Sequence, residues 1–182
     1  MIITISGMPG SGKSTVGKIL AERLGYKFYS MGDLRGKMAM DRGMTIDELN
    51  ELGRDEDWTD READEYQIEL AKKEDNFVID GRVSFYFIPS SFKIFLTADL
   101  SEASRRVFQN QRPDEEKVNT VQELEKRMRN RIKQDDFRYK KYYDVDFQNQ
   151  SNFDLVLDTT KSNIEGTVDK IMQGVVGWKS TK

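Results

Sequence analysis

The sequence predicts an α/β protein in which helices cover both faces of a parallel sheet. Short apolar runs recur along the chain, longer amphipathic stretches separate them, and capping signals stand at the starts of those stretches. A strand buried on both faces reads as a continuous apolar run, not as an alternation. Ile2-Ile3-Thr4-Ile5-Ser6, Phe77-Val78-Ile79, Phe92-Lys93-Ile94-Phe95-Leu96 and Leu155-Val156-Leu157 have that character, with Tyr26-Lys27-Phe28-Tyr29 a weaker fifth. Four pairs have capping-box spacing: Thr45 with Glu48, Thr59 with Glu62, Thr120 with Glu123, and Ser162 with Glu165. In each, a hydroxyl can accept from a first-turn amide while the carboxylate reaches back. Residues 109–119, which include Pro113, read as a surface loop.

Composition narrows the chemistry. A length of 182 residues suits one domain with a packed core. With no cysteine there are no disulfides, thiolate nucleophiles or iron–sulfur clusters, and with no histidine there is no Ser–His pair or imidazole ligand. The net charge of -3 argues against a nucleic-acid-binding polycation. No apolar run approaches the roughly 20 residues of a membrane helix, and the opening strand lacks a signal-peptide pattern. The expectation is a cytoplasmic protein with small-molecule partners and no membrane or nucleic acid.

The sharpest motif is Gly7-Met8-Pro9-Gly10-Ser11-Gly12-Lys13-Ser14, which matches G-x-x-x-x-G-K-[ST] between a strand and an apolar-periodic helix. Glycines at such positions let backbone N–H groups curl around a triphosphate. The following helix points its positive end at the same oxygens. Lys13 is then placed for the β- and γ-phosphates, and the Ser14 hydroxyl for Mg²⁺. Phe77-Val78-Ile79-Asp80 is an apolar strand ending in a carboxylate, which makes Asp80 a second candidate for the metal.

A phosphate loop leaves the acceptor open. A GTPase would want an Asn-Lys-x-Asp guanine reader, and the chain has none; Asp33-Leu34-Arg35-Gly36 meets D-x-x-G only formally. A hydroxyl acceptor wants a carboxylate base, for which Asp33 is the candidate. A monophosphate acceptor, with a second pKa of about 6, arrives as a dianion and wants cations instead. Arginine forks suit it, because they bond phosphate oxygens in pairs and stay charged. Arg35, Arg61 and Arg82 follow strand ends or open a helix, and Arg127, Arg131 and Arg138 fall along one helical stripe beside Leu124, Met128 and Ile132. Residues 124–141 hold eight Lys+Arg against three Asp+Glu, a basic segment in an acidic chain. It reads as a hinged helical lid that lowers arginines over bound phosphates.

Taken together these residues resemble the cytidylate kinases, specifically their compact branch. The resemblance rests on Ile5 through Thr15, Ser30-Met31-Gly32-Asp33, Asp41-Arg42-Gly43-Met44-Thr45, Asp60, Asp64 and Gln67. It continues in Asp80-Gly81-Arg82, then Arg131, Asp135, Arg138-Tyr139-Lys140-Lys141 and Tyr143, and ends in Asp154 to Thr159. It implies a three-layer P-loop NTPase fold of the nucleoside monophosphate kinase type, with a five-stranded parallel sheet. One monomeric domain would span 1–182, with an acceptor-binding helical region near 31–74 and a lid near 112–146. ATP with Mg²⁺ would be the donor and CMP or dCMP the acceptor. Lys13, Arg82, Arg131 and Arg138 would be catalytic, and Gly7, Met8, Pro9, Gly10, Ser11, Gly12, Ser14 and Thr15 would hold the triphosphate. Ser30, Gly32, Asp33, Arg35, Arg61, Asp64, Gly81, Arg82 and Asp135 would serve the acceptor. The chain departs from the family pattern at Gly36, where an arginine is usual and Arg35 stands one position early, about 100° round a helix. Near Asn110 the family places an arginine by the transferring phosphates, for which Arg106 and Arg112 are the candidates here. The alternatives are an adenylate- or uridylate-type kinase, a kinase of hydroxylated metabolites, or an ATP-binding module without catalysis.

Overall fold

A computed structural model of the chain describes residues 1–111, 115 and 117–180. Each apolar run forms a strand: β1 (Ile2–Gly7), β2 (Lys27–Ser30), β3 (Phe77–Asp80), β4 (Phe92–Thr97) and β5 (Leu155–Asp158). All pair in parallel in the order β2-β3-β1-β4-β5. The weak fifth candidate is an edge strand with one neighbour, so Lys27 is exposed, the rest are only half-buried, and its apolar signal is diluted. Between the strands lie α1 (Lys13–Leu24), α2 (Met31–Asp41), α3 (Ile46–Leu52), α4 (Trp58–Lys73), α5 (Ser84–Phe87), α6 (Leu100–Gln109) and α7 (Val121–Tyr143), and α8 (Ile164–Ser180) follows β5.

Alternation of side chains across the sheet produces two packed layers. Ile3, Ile5, Ile94 and Leu96 meet Val16 and Leu20 of α1 and Val168, Ile171 and Val175 of α8. The opposite face carries Phe95 against Phe85, Tyr139 and Phe147, and Phe77 with Ile79 against Met31 and Leu70. Each fully buried aliphatic or aromatic side chain contributes roughly 1.5–3 kcal/mol. Trp58 packs beside Ile46 and Leu49, and Trp178 lies tilted at 55° against Phe92, so both tryptophans are packing anchors.

Of the four capping expectations one holds in full, one in part, and two are corrected. Thr45 and Glu48 form a reciprocal box at the start of α3. Thr120 caps α7, while Glu123 reaches back to the Asn119 N–H. Thr59 is not a cap, because α4 has already begun at Trp58; its hydroxyl donates to the Glu56 carbonyl instead. At α8 the first-turn amide of Gly166 is taken by Asn163, and Ser162 donates to Asp158. No described helix is long and apolar enough to cross a membrane.

Candidate active site

The carboxyl ends of β1 and β3 converge on one cavity, the usual ligand position in an open parallel sheet. Between β1 and α1 the chain turns tightly. Gly7 has φ +141°, and a Cβ there would lie 2.1 Å from the Leu96 carbonyl oxygen. That carbonyl accepts from the Met8 N–H at 3.0 Å. Gly10 and Gly12 are left-handed as well, and the first turn of α1 carries no carboxylate. A concave run of backbone N–H groups at an unopposed helix N-terminus is built for an anion. The Thr159 hydroxyl ties the loop to the end of β5 by donating to the Ser11 carbonyl at 3.0 Å.

Lys13 Nζ donates to the Met8 carbonyl at 2.7 Å. Burial, then the nearby Arg82 guanidinium, pushes its ammonium down to about 7, with Asp80 pulling the other way. The Ser14 hydroxyl donates to the Asp80 carboxylate. Burial raises Asp80 above the usual carboxylate range against the hydrogen bonds of Ser14 and Ser30. Because a bound polyanion restores the charged form of Lys13, binding should take up protons wherever the free ammonium is partly neutral. Calorimetry of Mg·ATP binding at pH 8, in buffers of different ionisation enthalpy, is expected to show uptake approaching one proton per site. The uptake should shrink toward pH 6 and vanish in Lys13→Arg. No uptake at pH 8 would contradict the assignment.

Beyond the loop the cavity opens to about 940 Å³, and α7 forms a long wall of it with Leu124, Arg127, Met128, Arg131, Asp135, Arg138 and Tyr139. Its arginines sit in a carboxylate lattice. Arg82 donates to the Gly7 carbonyl at 3.1 Å and pairs through Nε with Asp135. Arg138 pairs with Asp135 at 2.8 Å and lies 3.4 Å from Asp60, which also holds Arg35 at 2.6 Å. Arg131 pairs with Glu115 at 2.8 Å, and Arg127 lies 3.6 Å from Asp47. Burial would push Asp135 up, but the guanidiniums of Arg82, Arg138 and Arg131 outweigh it and hold it below its ordinary value.

Most of the residues named from sequence come together here. Pro9, Gly10, Ser11, Gly12, Lys13, Ser14, Thr15, Gly32, Arg35, Asp80, Gly81, Arg82, Arg131, Asp135 and Arg138 all line the cavity. Arg35 does so although it stands one position early, because Asp60, the Thr59 carbonyl and Asn50 draw its fork inward. Gly7 and Met8 lie behind the wall, Met8 packed on the cluster around Phe95. Others lie elsewhere. Arg61 is exposed and pairs with Asp57, because α4 turns Thr59, Asp60, Ala63, Asp64 and Gln67 inward and leaves position 61 outside. Ser30 caps α2 and hydrogen-bonds the Asp80 carboxylate at the cavity, while Asp33 is exposed on the first turn of α2. Asp64 is buried one layer back, accepting from Tyr143 and Gln67, and burial raises it to about 7. Arg106 lines the cavity but donates to the Thr159 and Thr160 carbonyls, while Arg112 lies outside the described residues. Sequence reasoning missed Asn50 and Glu115, which are cavity residues by virtue of distant partners alone.

The chain matches the model of the cytidylate kinase-like family over residues 2–161. It belongs to that family. A cytidylate kinase of Archaeoglobus fulgidus is 36% identical over 176 residues, which cover 96% of this chain and 94% of that one. An S-adenosylmethionine-dependent nucleotide dehydratase of Lacinutrix mariniflava is 37% identical over 94% of this chain but only 35% of its own length. Among solved structures, shikimate kinase from Bacteroides thetaiotaomicron superposes with a TM-score of 0.65 at 19% identity, covering 95% of this chain and 97% of that one. At that identity the likeness speaks for the P-loop kinase fold. Membership of the cytidylate kinase-like family makes the chain a kinase-type phosphotransferase and leaves the acceptor to be argued from the site.

Proposed function

We propose that the protein transfers the γ-phosphoryl group of ATP to CMP or dCMP. One observation carries this reading: Arg82 joins the phosphate loop, through the Gly7 carbonyl, to the arginine lattice, through Asp135. Two phosphate-binding devices thus share one cavity, as in-line transfer between two polyanions requires. A monophosphate needs no base, since it is already a nucleophile above its second pKa of about 6. The hydroxyl-acceptor alternative assigns that role to Asp33, which is exposed on the first turn of α2.

In this mechanism the backbone cradle and Lys13 hold the donor phosphates. Arg82 and Arg131 align the acceptor phosphate and spread the charge of the transferring group. Asp135 and Arg138 fix Arg82 from behind, and α7 with residues near 112–146 serves as the lid, over an acceptor region near 31–74. Mg²⁺ fits the Ser14 hydroxyl and Asp80 carboxylate, a hard oxygen pair beside Lys13, and when bound it neutralises part of the polyphosphate charge. Every group invoked belongs to one chain, so the reading needs no second subunit.

The test is ADP formation from Mg·ATP with each nucleoside monophosphate and a panel of hydroxylated metabolites. Turnover with CMP and dCMP well above the others is expected. Turnover with hydroxylated metabolites alone, or with no acceptor at all, overturns it.

A further inference from the structure

Asn50 is 2% exposed, lies on the cavity wall, and has a side-chain Nδ2 with no hydrogen-bond partner among the described residues. Its other atom is fully engaged. Asn50 Oδ1 accepts from Arg138 Nη1 at 2.9 Å and from Arg35 Nη2 at 3.0 Å. Guanidinium groups only donate, so the amide cannot be flipped: oxygen must face the arginines, and Nδ2 is fixed as a donor. A buried donor without an acceptor costs about 1–3 kcal/mol, and a cavity residue bearing one is fitted to an acceptor atom on a ligand.

The position of that atom follows from the order of charges along the wall. The charged neighbours of Lys13 are Arg82, Asp80, Arg131 and Asp135. Asp135 holds Arg82 through Oδ2 and Arg138 through Oδ1. Asn50 comes next after Arg138 in this chain of contacts, its Oδ1 accepting from both Arg138 and Arg35. A monophosphate whose phosphate meets Arg82 therefore extends its nucleoside toward Asn50. There Arg138 and Arg35 are balanced by Asp135 and Asp60, so that end of the cavity suits an uncharged heterocycle.

We propose that Asn50 determines base specificity, its Nδ2 group donating to N3 of the pyrimidine ring of the acceptor. Cytosine presents a lone pair at N3; uracil presents an N–H, which would oppose donor to donor. The inference rests on the nucleoside monophosphate kinase reading and names the residue that chooses among pyrimidines.

Asn50→Asp is the discriminating variant. It keeps an oxygen for Arg35 and Arg138 while replacing the Nδ2 donor by an acceptor. Expected results are a fall of about 10²-fold in kcat/KM for CMP and a rise of at least about tenfold in the UMP-to-CMP ratio. KM for ATP should be unchanged. A residue that merely held the arginines would leave the ratio where it was, and an unchanged ratio overturns the proposal. A second measurement needs no variant: the parent enzyme should use the CMP analogue with C–H in place of N3 at least about tenfold less well than CMP. Equal use of the two also overturns it. If the parent phosphorylates neither CMP nor UMP, the kinase reading has failed first, and the two failures are distinguishable.

Discussion

Lys13→Ala is expected to lower kcat/KM for CMP phosphorylation by about 10³-fold, at the upper end of what one preorganised charge contributes. The lysine is buried beside Arg82 and Arg131, two cations that make its own charge costly in the free protein. A cation held under that tension strengthens its hold most where negative charge grows most, on the transferring phosphoryl group. The loss should therefore fall mainly on kcat, with a smaller rise in KM for ATP, because the backbone N–H groups of the loop remain. Folding should be spared. A lysine whose folded pKa lies near 7, below its ordinary 10.5, favours the unfolded state at every pH where that state is protonated and the folded one resists it. Its removal relieves that penalty, so the urea midpoint at pH 7 should not drop. Activity within tenfold of the parent would remove Lys13 from the reaction, and a collapsed midpoint would recast it as a structural residue.

What was legible in the sequence was what is local. The strands declare themselves by contiguous apolar residues, and the phosphate loop by glycines whose positive φ angles the structure retains at Gly7, Gly10 and Gly12. Helix phase was harder, because each residue of offset turns a side chain by about 100°. Placing the start of α4 at Thr59 instead of Trp58 gives no warning that Arg61 faces solvent, while its neighbour Asp60 is buried against Arg35. The departure at Gly36 misleads for the same reason, since Arg35 reaches the cavity through partners on α3 and α4 that no local pattern announces. Asn50 was invisible. Its significance depends on Arg35 and on Arg138, the latter 88 residues away, and no spacing rule links three such positions.

Arg138→Met should cost about 3–5 kcal/mol of stability at pH 7, the penalty for breaking a buried ion pair by removing one partner. Arg138 is 1% exposed, and its fork serves Asp135, Asp60 and both oxygens of Asn50, tying α7 to α3 and α4. Methionine fills much the same volume, so the deficit reports stranded carboxylates more than a void. The pH dependence separates those causes. In the parent, Asp135 has a folded pKa below its unfolded value, so its ionised form adds stability above the unfolded pKa of 3.8 and loses it as pH falls through the folded value. Without Arg138 part of that contribution is gone at neutral pH, whereas under acid conditions both proteins lack it. The gap between parent and variant in urea unfolding should thus persist from pH 7 down to about pH 4 and close only as pH falls below 3.8. Adding Asp135→Asn should recover part of the loss at pH 7, because the double variant no longer buries an under-compensated charge. A deficit below about 1 kcal/mol, or one that stays the same size at pH 7 and well below pH 3.8, would show that the lattice around Arg138 is ordinary packing. Arg82 would then need another explanation for its alignment, since Asp135 holds it only as firmly as Arg138 holds Asp135.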